Sequence, residues 1–98
     1  MKCRLGIRDK AVAEIQEAFN WYQNQQTGLG NKFISELENY FEVIHKTPKT
    51  FKRSYKVYRE IPLKIFPFIV VYFIDEIEKI IVVASVFHTS RNPEDKFD

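Results

Sequence analysis

Residues 21–33 read Trp-Tyr-Gln-Asn-Gln-Gln-Thr-Gly-Leu-Gly-Asn-Lys-Phe, WYQNQQTGLGNKF, and they decide how the first half of the chain folds. Gly28 and Gly30 interrupt a helical pattern, and one of them suits the left-handed residue that ends a helix. Upstream, Ala11, Val12, Ile15, Ala18, Phe19 and Tyr22 recur at helical spacing. A first helix is therefore expected from an N-cap at Asp9 to about Gln26, with Trp21 beside its apolar stripe. Downstream, Phe33, Ile34, Leu37, Tyr40, Phe41 and Ile44 repeat at three and four from Asn31 to Lys46, and Pro48 stops any continuation. A short loop between two such helices makes an antiparallel pair, and both stripes need a common partner surface.

The rest of the chain supplies that surface. Residues Lys2 to Arg8 alternate, with Cys3, Leu5 and Ile7 on one side, as a half-buried strand requires. Tyr55–Ile61, Leu63–Phe66, Phe68–Asp75 and Lys79–His88 are rich in branched and aromatic residues. Their connections are short, at Pro62, Pro67 and Asp75-Glu76-Ile77-Glu78. The order predicts an α+β fold, β-α-α-β-β-β(-β), with a helix hairpin packed on one face of a twisted, mainly antiparallel sheet. Residues 1–98 are read as a single domain, because a second core of this size would have too little surface to bury. In Phe68–Asp75, Ile69, Val71 and Phe73 point to one side and Phe68, Val70, Tyr72 and Ile74 to the other. With helices on one face only, the second apolar face is expected to lie open for a partner.

Composition excludes several classes. Hydrophobic residues make up 45% of the chain and charged residues 29%, which is ordinary for a globular protein and unlike a disordered one. The longest apolar run, Phe66 to Ile74, contains a proline and is about half of what a membrane-spanning helix needs. The start, MKCRLGIRDK, carries charges where a cleaved leader would be apolar, so a cytoplasmic protein is expected. Cys3 has no partner for a disulfide and reads as a small buried hydrophobe.

The net charge of +2 conceals an uneven distribution, because Lys46 to Lys64 holds seven basic residues and one acid, Glu60. Glu14, Glu17, Glu36, Glu38 and Glu42 sit on the predicted helices instead. The basic stretch, with Phe51, Tyr55 and Tyr58 interleaved, is suited either to a polyanion or to protecting a sheet edge from aggregation. His45 falls on the polar side of the second helix, and no Cys, His or acid cluster has ligand spacing, so neither metal nor cofactor is expected. Gly-Leu-Gly joins two helices and follows no strand, which is the wrong context for a nucleotide loop. Ser85 and Ser90 have no base at a foreseeable distance, and Trp21 and the phenylalanines read as core.

WYQNQQTGLGNKF, the segment Val57-Tyr58-Arg59 followed by IPLKIFPFIVVY, and the ending IIVVASVFHTSRNP together resemble the RelE/ParE superfamily of toxins from type II toxin-antitoxin systems. The similarity runs from about Gly6 to Asn92, and its most specific elements are Trp-Tyr with Gly-Leu-Gly, Phe-Pro-Phe opening a strand, and His-x-x-Arg-x-Pro at the close. It implies a compact toxin encoded beside a small antitoxin whose flexible segment fills its exposed apolar surface, with a toxin-antitoxin hetero-oligomer as a possible assembly. RelE-like members cleave messenger RNA in the ribosome without a metal, while ParE-like members, the plasmid-stabilisation type, bind DNA gyrase. No membrane partner is implied.

Metal-independent RNA cleavage needs a base, an acid and cations for the developing charge. For the nuclease alternative, His88 is the proton carrier, Arg59 the phosphate clamp, and Lys56 and Lys64 the further cations. Tyr58 or Tyr72 would stack a base, and Arg91 and Asn92 are target or antitoxin contacts. The match to nuclease members is incomplete. Thr89 stands where a catalytic tyrosine is often found, and FPFIVVY holds no arginine. Phe-Pro-Phe and the His-x-x-Arg-x-Pro ending look more like the ParE side, in which the histidine and arginine serve structure or antitoxin contact, a structural His88 being bonded to backbone or Asn92. Arg59 would then be held by a phosphate or carboxylate, or internally by Glu60 or Glu76. A ParE-like gyrase inhibitor is the leading expectation, a ribosome-dependent nuclease the alternative, and a non-toxic binding module or corepressor the third.

Overall fold

The computed structural model describes residues 3–97. In chain order the elements are β1 (Arg4–Ile7), α1 (Asp9–Gln25), α2 (Leu29–Lys46), β2 (Arg53–Tyr55), β3 (Tyr58–Pro62), β4 (Phe68–Asp75), β5 (Ile80–His88) and a 3-10 turn (Pro93–Phe97). The five strands form one sheet in the order β1-β5-β4-β3-β2. β1 runs parallel to β5 and every other pairing is antiparallel, so the sheet is mixed, as the α+β expectation of a mainly antiparallel sheet allows.

The hairpin forms where the glycines stand. Gly28 takes φ 92°, the left-handed conformation that reverses the chain between the helices. Gly30 serves a different need, since a Cβ there would lie 2.8 Å from the Phe19 carbonyl oxygen; its absence lets the helices approach, and the Gly30 N–H donates to Gln23 Oε1 at 3.0 Å. Phe33, Leu37 and Ile44 point from α2 into the core, where Tyr22, Phe33, Phe66 and Phe68 meet in edge-on and tilted pairs. Each fully buried ring or leucine stabilises by about 1.5–3 kcal/mol, which makes this cluster the main bond between helices and sheet.

Several local expectations are corrected. Arg8, in extended conformation, takes the N-cap position of α1, and Asp9 is the first helical residue, with its charge in the first turn where the helix dipole favours an anion. Val12 and Trp21 are exposed, Trp21 by 59%. β1 is shorter than the alternating stretch, and Lys2, its expected first residue, lies outside the described residues. Tyr55–Ile61 is divided by a turn in which Lys56 adopts φ 52°. Leu63–Phe66 is a bend and not a strand. The Glu36 carboxylate accepts the N–H groups of Ile65 and Phe66 at 2.9 and 3.3 Å, which removes them from any ladder.

The largest correction concerns the second face of the sheet, which the chain itself covers. The register puts Glu60 opposite Val71 and Ile69 opposite Phe87 on the side away from the helices, where the Tyr58 and Phe73 rings also meet edge-on at 5.7 Å. The 3-10 turn packs there. Phe97 lies 4.7 Å from Tyr55 and 5.0 Å from Tyr58, ring centre to ring centre, and Lys96 bonds Glu60 at 2.9 Å. Lys10 donates to the Asp95 carbonyl at 2.7 Å, while the Arg8 and Arg91 guanidiniums lie over Phe73 and Phe87. Val71 is wholly enclosed and Phe87 nearly so. The apolar sheet face expected to lie open is therefore closed by the chain's own C-terminal turn.

Candidate partner-binding cleft

A cleft opens on the helix side instead. β1 pairs with β5 only as far as Ile7 opposite Val83, yet β5 continues to His88. Among the described residues its far half has no neighbouring strand on that edge, and α1 occupies the space. Glu14 takes over the role of the missing strand: its Oε1 accepts the Val86 N–H at 3.0 Å and the Ser85 hydroxyl at 2.8 Å. Ser85 is fully buried, so this carboxylate satisfies it where water cannot.

Beside that contact lies a cavity of about 280 Å³. Ala18, Tyr22, Phe68 and Val86 form its apolar floor, and Glu14, Glu17, Trp21, His88, Ser90 and Arg91 line its rim. Glu14, Glu17, Ala18 and Trp21 stand at i, i+3, i+4 and i+7 along α1, so they share one stripe that turns toward the cleft.

His88 is fastened at this rim. Its ring lies edge-on to Phe68 at 4.8 Å, and Nδ1 accepts the Ser90 N–H at 3.0 Å and the Ser90 hydroxyl at 2.7 Å. With Nδ1 accepting, these partners assign the hydrogen of the neutral ring to Nε2. Ser90 thus lies against a base that sequence spacing did not indicate. Of the two partners expected for His88, backbone or Asn92, it is backbone that bonds it, through the Ser90 N–H, while Asn92 accepts the Glu94 N–H at 3.1 Å and starts the 3-10 turn. Arg91 is exposed, with its guanidinium 3.4 Å from Glu14 Oε2.

The residues suggested for nucleolytic chemistry are not assembled. His88 is level with Phe68 in β4, whereas Arg59 is level with Tyr72. Four residues of strand, roughly 13 Å, separate the two positions. Arg59 donates to the Phe51 carbonyl and pairs with neither Glu60 nor Glu76, which bond Lys96 and Lys49. Lys56 lies over the Tyr55 ring in the β2–β3 turn, and Lys64 is exposed in the bend after β3. Tyr72 is no contact residue: it is fully buried, its hydroxyl donates to the Pro48 carbonyl at 2.6 Å, and burial pushes its pKa up to about 12. Tyr58 is half-buried between Phe73 and Phe97.

Glu14, Glu17 and Trp21 were not recognised as site residues from sequence. The i, i+3, i+4, i+7 spacing on α1 is the signal that joins them, but in the sequence the two glutamates count only toward the acidic charge of the helices. Among the described residues no group of three or more His, Cys, Asp or Glu is placed to hold a metal. No described helix is long and apolar enough to cross a membrane.

Two helices on one face of a five-stranded mixed sheet, in the order β-α-α-β-β-β-β, define the fold of the ParE-like toxins. It is shared by the toxin-antitoxin structure titled "Chromosomal ParDE TA system from P. aeruginosa", with a TM-score of 0.77 at 15% identity over 89% of this chain and 96% of that one. The archaeal RelE–RelB complex from Pyrococcus horikoshii OT3 is less similar, with a TM-score of 0.52 at 13% identity over 94% of this chain and 100% of that one. Comparison with curated proteins finds no match. Residues 5–93 match the family described as "ParE toxin of type II toxin-antitoxin system, parDE", and the chain belongs to that family.

Proposed function

We propose that this ParE-family toxin acts in the cytoplasm by binding DNA gyrase, and that a cognate antitoxin neutralises it by occupying the α1–β5 cleft. The observation behind binding, as against cutting, is the separation of His88 from Arg59, with Arg59 committed to the Phe51 carbonyl. An RNA-cleaving site needs its proton carrier and phosphate clamp around one phosphate, and strand spacing keeps these two far apart. The likeness to a ParDE structure agrees with an antitoxin partner.

Purified protein at micromolar concentration should block supercoiling by gyrase or trap it in cleavage complexes. Unaffected gyrase would defeat the proposal. Primer extension on messages after induction separates the alternative target: new ends within codons that disappear with His88→Ala would mean ribosome-dependent cleavage instead.

A further inference from the structure

The α1–β5 cleft has a chemistry more specific than an apolar groove. Among the described residues two carboxylates, Glu14 and Glu17, face one guanidinium, Arg91, and the Arg91–Glu14 contact is long at 3.4 Å. Glu14 already serves Val86 and Ser85, whereas Glu17 is exposed and makes no ion pair with a described residue. The rim therefore carries one negative charge in excess.

Trp21 stands four residues, about one helical turn, beyond Glu17 and presents an exposed indole beside it. An indole face attracts a cation, a carboxylate holds a guanidinium by a two-pronged hydrogen bond, and an apolar floor takes the methylenes of a long side chain. Arginine meets all three conditions, and its planar head stacks where a lysine ammonium cannot. The chain's own basic hairpin cannot fill the place, because β2 is the opposite edge of the sheet from the β1–β5 side where the cleft lies.

We infer that the cleft is a socket for a single arginine side chain of the antitoxin, with the guanidinium stacked on Trp21 and bonded to Glu17. This rests on the antitoxin reading proposed above. The excess negative charge turns away acidic and phosphate-bearing groups.

Trp21 is the chain's one tryptophan, so its emission reports on this site alone. The full chain is titrated with a short blocked amphipathic peptide bearing one arginine, and with the same peptide bearing citrulline, which has nearly the same shape and no charge. The arginine peptide should change Trp21 emission saturably. Citrulline in the peptide, or Glu17→Gln in the protein, should weaken binding about tenfold, the loss expected for one charged hydrogen bond with its stacking. Glu17 is solvent-exposed, so the variant should fold, and circular dichroism checks it. Equal binding of the two peptides, or emission unmoved by the arginine peptide up to millimolar concentration, would overturn the socket. Gyrase inhibition measured on the same preparation keeps the two ideas apart. Inhibition without an arginine-dependent signal sinks only the socket, and the signal without inhibition sinks only the gyrase target.

Discussion

The Glu14 carboxylate bonds the Val86 amide at 3.0 Å across seventy-two residues of sequence, three residues past the last pairing of β1 with β5. A buried strand edge needs acceptors for its N–H groups, and an unsatisfied one costs about 1–3 kcal/mol. A helix cannot supply backbone acceptors sideways, so one of its side chains does. The same solution recurs at Glu36, which accepts the N–H groups of Ile65 and Phe66. Two of the five helix glutamates thus hold sheet-side backbone in place.

Glu14→Ala leaves the Val86 amide and the Ser85 hydroxyl without partners, and should destabilise by about 2–3 kcal/mol. Glu14→Gln keeps an acceptor oxygen and should lose about half as much, chiefly through the weaker uncharged bonds. Urea denaturation with unchanged m-value measures both. Equal costs for the two variants would mean that charge, and not backbone satisfaction, is what Glu14 provides.

The hairpin glycines meet an added methyl in different ways. Alanine normally improves a helix over glycine by about 1 kcal/mol. At Gly30, the second residue of α2, it should instead destabilise by about 1–3 kcal/mol, because the Cβ meets the backbone oxygen of Phe19 at 2.8 Å and the helices must part. At Gly28 no atom of the described residues lies within 4 Å of the added methyl, so alanine should cost only about 1 kcal/mol for the left-handed φ. Thermal unfolding should rank the variants in that order, and a stabilised Gly30→Ala would refute the close approach.

What the sequence disclosed, and what it concealed, follows from the range of each interaction. Helical spacing identified Phe33, Leu37 and Ile44 as core because periodicity acts within a few residues. Trp21 reads as core because it adjoins Tyr22, yet one step along a helix rotates about 100°, enough to leave the core. Leu63, Ile65 and Phe66 read as strand because their composition is that of one; the Glu36 bonds that bend them come from about thirty residues away. Closure of the second face was hidden in PEDKF, five residues that look like a solvated tail, with only Phe97 to suggest packing. The cleft is not legible in the sequence because it exists only where β1 stops before β5, and the end of β1 carries no local signal.

Tyr72 should be the last tyrosine to ionise. Burial raises its pKa to about 12, and burial also raises that of Tyr22. In the unfolded chain a tyrosine loses its proton near pH 10. Between pH 10 and about 12 the unfolded state therefore binds fewer protons than the native one, and stability falls as pH rises through that window. Spectrophotometric titration should show late-titrating phenols that appear only with unfolding. Tyr72→Phe should flatten the alkaline loss of stability, while costing about 1 kcal/mol at neutral pH for the bond to the Pro48 carbonyl. A native titration in which all five tyrosines ionise together near pH 10 would count against this placement.

The C-terminal turn should be a structural cover and not a dispensable tail. Phe97 packs on both Tyr55 and Tyr58, and each such aromatic pair contributes about 0.5–1.5 kcal/mol beyond the area it buries. Phe97→Ala should therefore destabilise by about 2–3 kcal/mol once lost burial is included. Ending the chain at Asn92 should do more, because it also removes Lys96 from Glu60 and Asp95 from Lys10. Val71 and Phe73 would then face water on a sheet otherwise closed, and a hydrophobic dye such as anilinonaphthalene sulfonate should bind the truncated protein and not the full chain. If the truncated chain binds no dye and unfolds at the same urea concentration, the second face is shielded by something other than this turn. Measuring Trp21 emission on the same variants adds a control: the cleft is on the helix side, so losing the cover should leave its arginine response in place while the dye signal rises.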